Sequence, residues 1–191
     1  MTAQPGRLRI IGGSHRGHRI EIPTGSDARP TGNRVREALF NILMNGLAEA
    51  PQLPGARVLD ACAGSGALGI EALSRGADHA VFLDTDRAAV RQIVTNLDAL
   101  GLSDRADVRR MDAGRPTAGA PCAILFLDPP YDSDTAQTAP GALAAAGWLA
   151  PEALCVIETR RSAALNCGAE FMPVDTRSYG DTSLNFLIWL G

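Results

Sequence analysis

Asp128-Pro129-Pro130-Tyr131 is the stretch of this chain whose residue types point most directly to chemistry. It follows an apolar run, Ala123 to Leu127, that reads as a buried strand. An acid, two prolines and an aromatic at a strand exit make a rigid corner, because proline fixes φ and lacks an N–H. The Asp128 carboxylate and the Pro129 carbonyl can accept hydrogen bonds from a planar NH2 group. The Tyr131 ring can stack on a flat heterocycle. A nucleobase amine is a poor nucleophile, since its lone pair is delocalised into the ring. Binding its hydrogens aims that lone pair outward, and positioning of this kind can supply several kcal/mol, up to about 7–11 in the best intramolecular cases. The corner therefore suits modification of an exocyclic amine. Asp-Pro-Pro also occurs in plain turns, so the assignment depends on what else the chain brings to it.

About 60 residues upstream, Val58 to Ala61 reads as a strand and runs through Cys62-Ala63-Gly64-Ser65-Gly66 into a helical pattern. Gly64, Gly66 and Gly69 have the spacing of a dinucleotide fingerprint, a weak signal alone. Asp60 precedes the glycines. A carboxylate there suits a ligand that carries an ammonium group and opposes a pyrophosphate. S-adenosylmethionine, with an amino group and a sulfonium, matches that charge. Ala63, Gly64, Ser65 and Gly66 would then lie along it, with a turn cap as the competing role for Asp60. Val81-Phe82-Leu83 ends in Asp84 about 20 residues later, where an acid accepts from ribose hydroxyls. Thr85 adjoins it, and Asp86 is more simply a helix cap. Asp112, followed by Ala113, can accept from an adenine amine; a solvent-facing loop is its competing role.

These groups need a frame. Arg57–Ala61, Ala80–Asp84, Ala106–Met111, Pro121–Asp128 and Leu154–Glu158 read as strands, with helices between the first three and over Thr135–Ala146. Such alternation predicts a mostly parallel sheet with helices on both faces. A further strand at Leu184–Leu190 pairs with one near Phe171–Arg177. Before the alternation lie a small hairpin, Leu8–Ile11 with Arg19–Ile22, and a helix from Gly32 to Leu47 that Thr31 can cap. The boundary reads as an extension over residues 1–50 and a main domain over 51–191.

Charge is divided in the same way. The chain of 191 residues has net charge −3, yet residues 1–36 carry +5 and the rest −8. All 18 basic residues are arginine. A basic arm on an acidic body suggests a polyanion contact. No apolar run is long enough to span a membrane, and Met1–Arg9 lacks a signal-peptide pattern, so a cytoplasmic protein is expected. The four scattered cysteines read as free thiols, and His15, His18 and His79 show no metal-ligand spacing.

With these residues in place, the chain resembles class I S-adenosylmethionine-dependent methyltransferases of the [DN]PP[YF] type. More closely, it is similar to the bacterial 16S ribosomal RNA guanine-N2 methyltransferase family, the enzymes of guanine 966. The likeness covers nearly the whole chain: Arg9-Ile10-Ile11-Gly12-Gly13 with Arg16-Gly17, Arg29-Pro30-Thr31 leading to Arg34-Val35-Arg36-Glu37-Ala38-Leu39-Phe40-Asn41, Leu59-Asp60, Ala63 to Gly69, Glu71 to Gly76, Asp128 to Tyr131 and Gly147-Trp148-Leu149. The amino-terminal block is the specific part. Two departures are an aspartate at 84 where relatives often have glutamate, and Ala61-Cys62 in place of a bulkier pair.

The resemblance implies a Rossmann-like seven-stranded methyltransferase sheet, S-adenosylmethionine as cofactor, and 16S ribosomal RNA or the small ribosomal subunit as partner of a monomeric enzyme. Asp128, Pro129, Pro130 and Tyr131 would be catalytic. Arg7, Arg9, Arg16, Arg29, Thr31, Arg34 and Arg36 would meet the RNA. The corner alone serves an adenine N6 amine equally well. A nicotinamide-dependent oxidoreductase and a non-catalytic RNA-binding protein are the readings from other classes.

Overall fold

The computed structural model describes residues 7–23, 32–47 and 50–191, apart from the Arg7 side chain. The order of elements is β1 (Arg7–Arg9), β2 (Arg19–Glu21), α1 (Asn33–Asn45), β3 (Arg57–Ala61), α2 (Ala67–Ser74), β4 (His79–Asp84), α3 (Arg87–Leu100), β5 (Ala106–Arg110), β6 (Cys122–Leu127), α4 (Thr135–Ala145), β7 (Leu149–Arg160), β8 (Phe171–Tyr179) and β9 (Thr182–Trp189). β3 to β9 form one sheet in the order β5-β4-β3-β6-β7-β9-β8, and β1 pairs with β2 separately. β3 to β7 are parallel to one another, while β9 runs antiparallel between β7 and β8. The sheet has the expected architecture.

Residues alternate between two cores along each strand, as a sheet covered on both faces requires. Val58, Phe82, Phe126 and Val156 face one side with Phe40 of α1, Ile70 of α2 and Ile93 of α3. Leu59, Val81, Leu125 and Ile157 face the other with Leu143 of α4 and Trp148. Leu8, Ile10 and Ile20 of the hairpin are buried in the first core, so the basic extension packs on the same face as α1 to α3.

Polar groups fix the extension as firmly as apolar ones. The buried Glu71 carboxylate of α2 accepts from the backbone N–H groups of Ile11 and Gly12, both at 2.8 Å. Ser74 donates to the Gly12 carbonyl at 2.6 Å and accepts from the His15 N–H at 3.0 Å. Asn96 of α3, also buried, accepts from Glu21 N–H and donates to the Glu21 carbonyl.

Two elements differ from the sequence expectation. β7 starts at Leu149 rather than Leu154, because a bulge between Cys122 and Ile124 in its register with β6 accommodates Pro151 and Glu152 at the surface. Thr31 lies outside the described residues, and Gly32 stands at the N-cap of α1. Pro140 sits inside α4 and cannot donate to Ala136. The Cys167 thiol donates to that carbonyl instead, at 3.6 Å. The four cysteines are free. Among the described residues no helix is long and apolar enough to cross a membrane.

Candidate active site

The sheet reverses its build order at β3, with β4 and β5 on one side and β6 and β7 on the other. A cleft opens beyond the carboxyl ends of strands at such a switch point. Four aspartates from four adjacent strands line it: Asp112 after β5, Asp84 at the end of β4, Asp60 near the end of β3 and Asp128 after β6. Cys62, Ala63, Gly64, Ser65, Thr85, Ala113, Pro129, Pro130 and Tyr131 line the same cleft. Gly66 does not; it takes a left-handed φ of 77° at the N-cap of α2 and turns the chain into the helix.

Asp60, Asp84 and Asp112 are each held by backbone donors. Asp60 accepts from the Gly69 N–H at 2.8 Å, so it caps the first turn of α2 as well as facing the cleft. Asp84 accepts from Gly64 N–H and from Asp86 N–H, both at 2.8 Å. This pins the glycine loop to the end of β4. Asp112 accepts from Gly114 N–H. Asp86 caps α3 through Ala88 N–H, as expected. Asn96 donates to the Ser65 carbonyl at 3.1 Å, which ties the loop to the hairpin through the same side chain that holds Glu21.

The field in the cleft is negative. Burial pushes the Asp60 carboxyl well above the usual range; the Gly69 N–H opposes this and Asp128 and Asp84 add to it. The Cys62 thiol is pushed up to about 12, first by burial and then by Asp84, Asp60, Asp128 and Asp112. A cationic ligand is favoured in such a site. A pyrophosphate is disfavoured, because the Asp60 carboxylate stands at the N-terminus of α2 and already takes the Gly69 N–H. The residues present therefore fit a sulfonium- and ammonium-bearing cofactor.

Gly69 serves packing rather than binding. A Cβ there would lie 2.3 Å from Cε1 of Phe82 in β4. Gly69→Val is expected to lower stability by about 1–3 kcal/mol through overpacking, with α2 pushed off the sheet; urea unfolding of the pure protein checks it.

At the Asp128–Tyr131 corner, Pro129 is buried and Pro130 exposed. The Tyr131 hydroxyl donates to Glu158 Oε1 at 2.8 Å and pairs with Thr182 Oγ1 at 2.9 Å. Arg160 lies over the Tyr131 ring, 5.0 Å from its centroid. Glu158, Arg160, Arg161 and Thr182 also line the cleft and escaped the sequence reading. The alternation of Glu158 and Arg160 at the exit of β7 was the available signal.

The expected RNA-contacting residues divide. Arg9, Arg16 and Arg34 are exposed. Arg29 and Thr31 lie outside the described residues, as does the Arg7 side chain. Arg36 is buried: it is only 1% exposed, although it lines the cleft. Its guanidinium donates to the Arg9 carbonyl at 2.6 Å and to Asn33 at 3.1 Å, and lies 3.9 Å from Glu71. Its cation is engaged in holding the fold.

A family model described as "Conserved hypothetical protein 95" matches residues 8–188. The chain belongs to this family. It is 42% identical over 156 residues to the ribosomal RNA small subunit methyltransferase D of Escherichia coli strain K12, covering 81% of this chain and 75% of that protein. The protein of that name from Haemophilus influenzae is 37% identical over 161 residues, covering 82% and 80%. A solved Escherichia coli structure superposes with a TM-score of 0.83 at 34% identity, over 97% of this chain and 99% of that one. An RNA methyltransferase from Salinibacter ruber in complex with S-adenosyl-L-homocysteine shares the fold, with a TM-score of 0.63 at 16% identity over 84% and 94%.

Proposed function

We propose that this protein methylates the exocyclic N2 amine of a guanine in 16S ribosomal RNA, with S-adenosylmethionine as methyl donor. The observation that carries the reading is the seating of Asp128-Pro129-Pro130-Tyr131 in the same acidic cleft as Asp60, Asp84 and Asp112, in a chain of this family. Asp84 and Thr85 would hold the cofactor's ribose, Asp112 and Ala113 its adenine, and Asp60 with Ala63 to Ser65 its amino-acid end. The bound cofactor supplies an electrophilic methyl group on a sulfonium.

The chain's own residues prepare the nucleophile. The Asp128 carboxylate accepts one hydrogen of the guanine amine and the Pro129 carbonyl accepts the other. The nitrogen lone pair is then aimed along the remaining direction. Of the two acceptors, the Asp128 carboxylate is the one able to take up the proton that the methylated amine must lose. Tyr131 stacks on the extruded base. The preference for guanine over adenine comes from the family, since the corner binds either amine. The oxidoreductase reading is disfavoured by the internal capping of α2.

The test is tritiated methyl transfer onto ribosomal RNA, or onto small subunits, from a strain that lacks this protein. Nucleoside mass spectrometry should then find N2-methylguanosine. N6-methyladenosine in its place would overturn the base assignment.

Residues 1–50 act, in this reading, as the RNA-contacting extension of a monomeric cytoplasmic enzyme whose catalytic unit is 51–191. Arg16 and Arg34 are exposed on it, and phosphate contacts release counterions. The double replacement Arg16→Gln, Arg34→Gln is expected to weaken RNA binding and to reduce the slope of log K against log salt by about 1–2. Filter binding over a salt series measures it; an unchanged slope would place the RNA elsewhere.

A further inference from the structure

The tail of the sheet is built around Tyr131. β7 and β9 are antiparallel neighbours, with Glu158 opposite Leu184 and Arg160 opposite Thr182. Residues two apart on a strand share a face, and so do directly opposed residues. Glu158, Arg160 and Thr182 therefore project to one side of the sheet, and all three reach the same side chain. Glu158 is 7% exposed and takes the phenol proton into a hydrogen bond; Thr182 meets the same oxygen. Arg160 covers one face of the ring and pairs with the exposed Asp132 at 3.3 Å.

The geometry points to Glu158 as a positioning residue that, with Thr182 and Arg160, presets Tyr131 as a one-sided stacking platform for the substrate base. The inference rests on the proposed function, because it names what the platform receives. A tyrosine fixed only at its backbone can rotate about two torsions, and a base that stacks on it must first stop that motion. Here the far end of the ring is anchored by a charge-assisted hydrogen bond, and the cation over one face leaves the other for the base. Only the ring of Tyr131 touches substrate. The phenol is pushed up to about 12, first by burial and also by Glu158 and Asp128, so it remains a donor across the working pH range.

Glu158→Ala is expected to reduce kcat/KM for RNA by about tenfold or more, the size of one lost charge-assisted hydrogen bond, with KM for S-adenosylmethionine unchanged. Glu158→Gln retains an acceptor oxygen and should recover most of that loss. Tyr131→Phe should resemble Glu158→Ala, and the double variant should be no worse than either, because both remove one interaction. Additive losses, or a Glu158→Ala enzyme with normal RNA kinetics, would overturn the proposal. A readout independent of turnover separates it from the functional reading. In protein labelled with 13C-tyrosine and carrying Tyr179→Phe, the Tyr131 ring carbon should titrate nearer the ordinary tyrosine range once Glu158 is replaced by alanine. An unmoved titration means there is no anchor, whatever the enzyme methylates. A moved titration in an inactive wild-type protein would keep the anchor and remove the substrate.

Discussion

Asp128→Ala is expected to abolish methyl transfer, by on the order of a hundred- to a thousandfold or more, while binding of S-adenosylhomocysteine changes little. The rate term follows from positioning: once one of the two acceptors is gone, the amine is free to rotate its lone pair back into the ring, and misplacement by about 1 Å already costs on the order of a hundredfold. The binding term follows from the layout of the cleft. Asp60, Asp84 and Asp112 stand on β3, β4 and beyond β5, and their backbone donors do not involve Asp128. Asp128 is one of the neighbours that hold the Asp60 carboxyl up, so its removal makes Asp60 easier to ionise and the cleft stays acidic. Asp128→Asn should fall between, since it keeps a carbonyl acceptor but loses the charge. Single-turnover assays beside calorimetry separate the two effects. Loss of cofactor binding in Asp128→Ala would mean that the corner belongs to the cofactor site, and near-normal turnover would remove it from catalysis.

The chain discloses some of this more readily than the rest. Asp60, Asp84 and Asp128 could be found because each follows apolar strand residues, and Asp112 because it follows a strand-like segment; strand ends in an alternating pattern must gather on one edge of a parallel sheet. The Asp86 and Gly101 caps of α3 follow from local rules and take the expected geometry. What escaped needed register between distant segments. Glu158 meets Tyr131 because β7 pairs with β6, and Thr182 meets it because β9 lies beside β7, pairings that no local pattern announces. The burial of Arg36 escaped for the same reason. Among the arginines of the basic arm it looks like the others, yet it falls on the apolar face of α1 with Leu39, Phe40 and Leu43. An arginine in that stripe needs a buried acid, and Glu71, 35 residues on, supplies it. The dual role of Asp60 lay in between: both a cap and a cleft acid were legible, and the structure uses one carboxylate for both.

That buried acid carries the other large effect. Glu71→Gln is expected to destabilise the protein by about 3–5 kcal/mol, the usual result of breaking a buried pair by removing one partner. Against a total stability of about 5–15 kcal/mol, such a loss leaves the fold marginal. Glu71 is fully buried, Arg36 is 1% exposed and Arg75 is 11% exposed at the side chain. Burial already presses the Arg36 guanidinium down from its usual range, with Glu71 opposing and Arg75 adding to the effect. Without the carboxylate two cations face each other in the core. The amide that replaces it could still accept from one of the two N–H groups of Ile11 and Gly12, but its NH2 would confront the other. The damage should therefore begin at the extension, as early protease cleavage before residue 32, ahead of global unfolding in urea. Adding Arg36→Met should restore part of the lost stability, because removing both buried charges relieves the penalty that removing one creates. Failure of that rescue would assign the loss to the Ile11 and Gly12 contacts. In either case the hairpin would no longer be held against α2 by the carboxylate, and Asn96 would remain its link to Ser65 of the glycine loop. Affinity for RNA should then fall further than affinity for S-adenosylhomocysteine.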